Sequence, residues 1–342
     1  MRIPIDPFAP SRPYQRTSPT ARTANPMNRV LHRKFRHLLV AAAIALTGPG
    51  STGEAQARLN IFTCEPEWAA LARVIAPDAV IFSATHARQD PHEIEARPAL
   101  ISALRRADLA ICTGLSLEAG WLPMLQNRAG NAKVLPGSQG MLFVGEAMPL
   151  LADAHHHPER GKGHVHAEGN PHFQLDPRLL PSVARRLAQR LGAVDPARAD
   201  VYRERYDQWS AAWQLRIETW QHAAKPLFGQ AVIAEHSSFA YLFRWLDLYQ
   251  SADLEPVPGV PPSITHLQAL LQTARDDPPM AIAQTLYQDP QSGRWLAQRL
   301  AVPLLTLPST VTQDGETRTL EGLFDHLVRS LLDAYRERSE RR

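Results

Sequence analysis

Apolar positions come in two alternating rhythms along most of this chain. Runs of four to six apolar residues at 59–64, 79–84, 109–113 and 132–135 read as strands. Between them, 67–75, 97–107, 117–128 and 176–191 repeat their apolar residues every three to four positions and read as helices. The alternation resumes later. Strands are expected at 230–234, 280–284 and 303–307, and helices at 239–246, 263–275, 293–300 and 320–336. Strands alternating with helices imply parallel sheets covered by helices. One stretch differs from both halves. Asp195-Pro196 opens a helical pattern running to 225, where Pro226 stops it. Within it Tyr202, Tyr206, Trp209, Trp213, Ile217 and Trp220 form one aromatic stripe. The simplest use of such a stripe is packing against both halves. The fold expected is therefore α/β, with two parallel-sheet lobes at 58–194 and 226–342 joined by a single long helix at 195–225.

The first 57 residues follow another rule. Leu38–Thr47 is an apolar run preceded by Arg29, Arg33, Lys34 and Arg36 and followed by Ala55-Gln56-Ala57. That is the layout of a secretory signal cleaved after Ala57. A membrane span needs ~20 apolar residues, more than this run holds. No cysteine follows closely, so a lipid anchor is not expected. Residues 1–26 are rich in Pro, Arg, Ser and Thr, and Met27 is an alternative start to Met1. Residues 1–57 are thus read as extension and signal, and the mature protein as periplasmic. The net charge of +3 comes largely from that basic leader. The mature part is near neutral, which argues against nucleic acid, whose phosphates need a basic stripe.

Two cysteines remain, Cys64 and Cys112, each ending a strand-like run. An oxidising compartment allows them to form a disulfide if their strands are neighbours; two buried thiols are the alternative. Histidine is the more informative residue. There are 14 in the chain, and three stand in ordered contexts: His92 in Asp90-Pro91-His92-Glu93, His172 in Asn170-Pro171-His172-Phe173, and His236 in Glu235-His236-Ser237-Ser238-Phe239. Neutral imidazole is a common zinc ligand, and three with one further group complete a tetrahedral site. A loop at 153–168 adds His155, His156, His157, His164 and His166 as an accessory metal-binding stretch.

These motifs carry a resemblance. Asp90-Pro91-His92-Glu93-Ile94-Glu95-Ala96-Arg97-Pro98, Ala107-Asp108-Leu109 with Cys112-Thr113-Gly114, Asn170-Pro171-His172 with Asp176-Pro177, and His236-Ser237-Ser238-Phe239 with Tyr241 occur in order. Pro261-Pro262-Ser263 and Leu307-Pro308-Ser309 with Val311 follow. Together, over about 58–336, the chain resembles the periplasmic solute-binding proteins of zinc and manganese ABC importers. The resemblance implies a metal held between two lobes that are linked by a rigid helix. It implies His92 and His172 as ligands from the first lobe and His236 from the second. Where many relatives carry a fourth ligand, an aspartate, Ser309 stands here. Asp289 is taken for that role, with Asp314 and Glu65 as alternatives. Three imidazoles and the His-rich loop favour Zn²⁺ over Mn²⁺, which prefers oxygen ligands. The implied partner is the importer's membrane permease, with the binding protein a monomer. Competing readings are a manganese-binding homologue, a metal-binding adhesin or metallochaperone, and a zinc hydrolase. No motif places a general base for the last. Glu235 is adjacent to His236, but neighbours on a strand face opposite ways.

Overall fold

The computed structural model describes residues 58–151, 169–257 and 259–340. Two sheets, each of four parallel strands, form the two lobes. In the first, β1 (Asn60–Thr63), β2 (Val80–Ser83), β3 (Leu109–Cys112) and β4 (Met141–Phe143) lie in the order β2-β1-β3-β4. In the second, β5 (Ala231–Ala234), β6 (Tyr249–Asp253), β7 (Ala281–Thr285) and β8 (Leu304–Leu307) lie in the order β6-β5-β7-β8. Of the interior strands, β3, β5 and β7 are buried along their whole length and β1 everywhere but at Asn60. This is why they read as continuous apolar runs: helices cover both faces of a parallel sheet.

The helices are α1 (Pro66–Ile75), α2 (Pro98–Arg106), α3 (Leu122–Ala129), α4 (Leu180–Val194), α5 (Ala199–Ala224), α6 (Ala240–Trp245), α7 (Ile264–Asp276), α8 (Gln291–Leu300) and α9 (Leu320–Glu340). A 3₁₀ turn at Pro196–Arg198 leads into α5 and another at Lys225–Leu227 leaves it. At 1.5 Å per residue α5 is about 39 Å long. Its stripe is buried at Tyr202, Trp209, Trp213, Ile217 and Trp220. Tyr206 is half-buried at the margin. Trp213 lies 5.0 Å from Trp209 and 5.2 Å from Trp220 between ring centroids. Phe324 of α9 meets Trp213 at 5.6 Å, Trp220 at 5.2 Å and Trp245 of α6 at 5.7 Å. The indole N–H groups of α5 are satisfied: Trp213 donates to Pro177 O (2.8 Å), Trp220 to Asp325 Oδ1 (2.7 Å) and Trp209 to Glu321 Oε1 (3.3 Å). A single apolar cluster consequently contains Ile61 and Trp68 of the first lobe, the α5 stripe, and Val232, Phe243 and Ala283 of the second.

Local departures from the expected pattern have local causes. Residues 132–134 form a 3₁₀ turn, not a strand, because the Asn131 side chain accepts from Lys133 N–H (3.1 Å) and donates to Leu104 O and Ala107 O. The fourth strand comes later, at β4. The helix expected from 117 begins only at Leu122. Before it Gly114, Leu115 and Ser116 all have positive φ (77°, 56° and 65°). The Glu118 carboxylate fixes this bend by accepting from Thr113 N–H (2.6 Å) and Gly114 N–H (2.9 Å). Residues 176–179 likewise precede α4, since Asp176 is engaged by Arg178 at 2.7 Å. β6 was not expected. It is an edge strand of sequence Tyr-Gln-Ser-Ala-Asp, too polar to show a strand period.

Candidate metal centre

His92, His172 and His236 come from three separate loops at the carboxyl ends of the strands or between elements, and their rings meet. The His92 and His172 centroids are 5.7 Å apart at 73°, and those of His172 and His236 are 6.2 Å apart at 88°. His172 and His236 are 3% and 7% exposed, and the His92 side chain is 7% exposed.

His92 and His172 are each held by a chain neighbour, and all three loops make a distant contact. His92 Nδ1 lies 2.6 Å from Asp90 Oδ1, which also accepts the His92 amide at 3.0 Å. A carboxylate on one ring nitrogen fixes the ring and leaves the other nitrogen to face a metal. Trp121 Nε1 donates to Pro91 O at 2.9 Å. Gly120 packs under the same loop, where a Cβ would lie 3.3 Å from His92 O. His172 N–H donates to Asn170 Oδ1 (2.9 Å). The other end of that amide, Asn170 Nδ2, donates to Ser237 O (2.9 Å), the residue after His236. One asparagine thus links the second and third loops across the lobes. Tyr241 OH donates to Asn170 O (3.0 Å) and accepts from Leu151 N–H (2.9 Å).

Beside the rings lies a cavity of about 500 Å³, lined by Asp90, His92, Glu235, His236, Glu255 and Asp289 among others. Burial, then the Glu255 and Asp289 charges, pushes Glu235 up to about 7. Burial also raises Glu255, to about 6, against the pull of the Gly259 N–H that donates to it at 2.8 Å. Four carboxyl groups, those of Asp90, Glu235, Glu255 and Asp289, thus share this cavity with the Arg88 guanidinium, and burial keeps Glu235 and Glu255 readily protonated there.

The candidates for a fourth ligand separate in space. Asp289 lines this cavity and caps the turn before α8, accepting from Gln291 N–H at 2.9 Å. Asp314 lines a different cavity, with His86 and His326. Glu65 is buried inside the first lobe, where its Oε2 accepts from Thr113 Oγ1 at 3.0 Å. Ser309 is 8% exposed and its carbonyl accepts from Gln174 Nε2 (3.2 Å). His155, His156, His157, His164 and His166 lie outside the described residues. Cys64 and Cys112 are joined in a disulfide with 4.8 Å between their Cα atoms. One expectation needs correcting. Glu235 and His236 line the same cavity, because β5 ends at Ala234 and strand alternation no longer governs them. Trp121 and Asn170 were missed as supports, since each acts on a loop distant in sequence.

The family described as "Zinc-uptake complex component A periplasmic" matches residues 61–334. The chain belongs to that family. It is similar to the high-affinity zinc uptake system protein ZnuA of Yersinia pestis, with 23% identity over 262 residues, covering 70% of this chain and 79% of that one. Among solved structures, a crystal structure of ZnuA aligns with TM-score 0.68 at 21% identity, covering 82% of this chain and all of the other. The manganese-bound periplasmic metal-binding protein of Candidatus Liberibacter asiaticus aligns with TM-score 0.66 at 16% identity and the same coverage; a cadmium-bound form of it aligns equally. At these identities the structural likeness shows the fold: two parallel-sheet lobes with a long connecting helix. Membership in the family makes the chain a substrate-binding component of a metal ABC transporter and not an enzyme. A permease in the membrane is the partner this implies. No helix among the described residues is long and apolar enough to cross a membrane itself.

Proposed function

We propose that this protein captures Zn²⁺ in the periplasm and hands it to the importer's permease, with His92, His172 and His236 as ligands. The observation that carries this reading is the convergence of the three buried imidazoles, from both lobes, at the edge of an acidic cavity. Nitrogen donors favour zinc over manganese, and Ser309 stands where an aspartate would add an oxygen. Asp289 or a water completes the site. The carboxylates lining the cavity offer oxygen donors, and these support manganese as the second reading. Residues 1–57 act as a cleaved export signal, the loop 153–168 collects metal ahead of the site, and the mature protein works as a monomer.

Calorimetric titration of the loop-deleted protein with Zn²⁺ and Mn²⁺ tests the assignment. One tight zinc site per chain is expected, with manganese at least tenfold weaker. His236→Ala should weaken zinc about a hundredfold or more. If deletion of 153–168 abolishes the tight site, the three histidines are not its ligands.

A further inference from the structure

The disulfide has chemically unusual surroundings. Cys112 ends β3 and Cys64 follows β1. The two strands are paired in parallel, Thr63 opposite Ile111, so both sulfurs lie at one end of the sheet. Neither cysteine has any exposed surface. A carboxylate oxygen of Glu118 lies within 4.8 Å of both sulfurs. Among the described residues, these are the three metal-binding side chains that approach one another so closely.

A second carboxylate adjoins them. Glu65 follows Cys64 directly, and the Thr113 N–H that donates to Glu118 at 2.6 Å also lies 3.2 Å from Glu65 Oε2. Burial holds Glu65 well above the usual carboxylate range, and the charges that raise it further are Glu118 and Glu67. Two carboxyl groups therefore share one buried backbone amide, and one of them, Glu118, adjoins both sulfurs. The topology gives the position a counterpart. Strand order is the same in both sheets, and β1 holds the place in the first that β5 holds in the second. Cys64-Glu65 thus stands in the first lobe where Glu235-His236, at the histidine cleft, stands in the second.

We propose that the Cys64–Cys112 disulfide masks a second metal site. When the bond is reduced, the two Sγ atoms and the Glu118 carboxylate bind one borderline or soft divalent cation, Zn²⁺ or Cd²⁺, with Glu65 placed to give a fourth bond. Reduction by a dithiol supplies two electrons and two protons. The S–S bond breaks, two thiols form, and the dithiol becomes a disulfide. The cation then displaces both thiol protons to solvent as two metal–sulfur bonds form. A zinc–sulfur length of ~2.3 Å spaces tetrahedral donors about 3.8 Å apart, so the two sulfurs, held at ~2.05 Å in a disulfide, separate on reduction before both can ligate. Oxidation of the exported chain would then remove a thiolate competitor and leave the histidine cleft as the tight site.

Cadmium is the probe, because bound thiolate gives it an ultraviolet charge-transfer band that imidazole does not. The chain carrying His92→Ala and His236→Ala is titrated in oxidised and dithiol-reduced forms, with far-UV circular dichroism as the measure of folding. The reduced chain should bind one Cd²⁺ with the two-thiolate band, and the oxidised chain should show no band. Adding Cys64→Ser and Cys112→Ser should abolish the band in both. Glu118→Gln should weaken cadmium about tenfold in the reduced chain; Glu118→Asp, which keeps the charge, should weaken it less. The proposal is overturned if the folded, reduced chain shows no band. It is also overturned if reduction unfolds the chain, if the urea-unfolded chain binds equally tightly, or if Glu118→Gln leaves the affinity unchanged. The histidine cleft is disabled throughout, so none of these failures touches the zinc assignment.

Discussion

His92, a ligand in the proposed site, is fixed from two sides. Its ring is oriented by Asp90, two residues earlier, and its loop is pinned by Trp121 through Pro91 O. Asp90 could be read in the sequence because it belongs to the same motif as His92. Trp121 could not, since nothing local marks an indole that acts 30 residues away. Glu235 was misjudged for the opposite reason: a local rule was extended past the end of its strand. Supports behind metal-binding histidines typically contribute 10–100-fold in affinity. Trp121→Phe keeps most of the buried ring and removes only the N–H. It should therefore weaken zinc by about tenfold at unchanged far-UV dichroism, as competition with a chromophoric chelator would show. An unchanged affinity would mean that the loop holds His92 without the indole.

At the scale of elements, the decisive contact is the one that α1 makes with the loop after β8. Thr310 Oγ1 donates to a Glu67 carboxylate oxygen across 243 residues of sequence, tying the two lobes together. Burial pushes Glu67 up to about 7, even though this hydrogen bond pulls the other way. Glu118 is pushed to about 7 and Glu65 is raised as well, both chiefly by burial. Each group is protonated more readily in the fold than in the unfolded chain, where the value is near 4.5. For Glu67 and Glu118 the stability this gives is complete below about 4.5 and is lost as pH rises through about 7. The chelator-treated protein should accordingly melt at a lower temperature at pH 8 than at pH 5. Glu67→Gln, which cannot ionise, should reduce that difference. A steeper fall in the variant would contradict the assignment. None of this coupling was legible in advance, because Glu67 sits in an ordinary amphipathic pattern. The elements themselves were largely legible wherever strands were fully buried. Legibility ended at β6, where an edge strand carries polar residues, and at 115–121, where a carboxylate rather than a helix sets the backbone.

The whole molecule is organised around α5 and α9. The aromatic stripe was plain in sequence, and its partners are Phe324 and Trp245. A core shared by both lobes resists wide hinge closure. Zinc should raise the melting temperature, since it binds only the folded state. It should hardly change the radius of gyration of loop-deleted protein measured by X-ray scattering; a clear fall would show that the lobes swing as bodies. The same shared core has a consequence for how the chain is made. Ribosomes deliver the N terminus first, and domains generally fold as units in that order. Here Leu323, Phe324 and Leu327, from α9, which is made after every other described element, complete the cluster that also buries Trp68 of α1. The first lobe closes one cluster of its own, from Phe62 to Met141, but its interior around Trp68 is unfinished until α9 exists. That part of the first lobe stays uncommitted while the second is still being made.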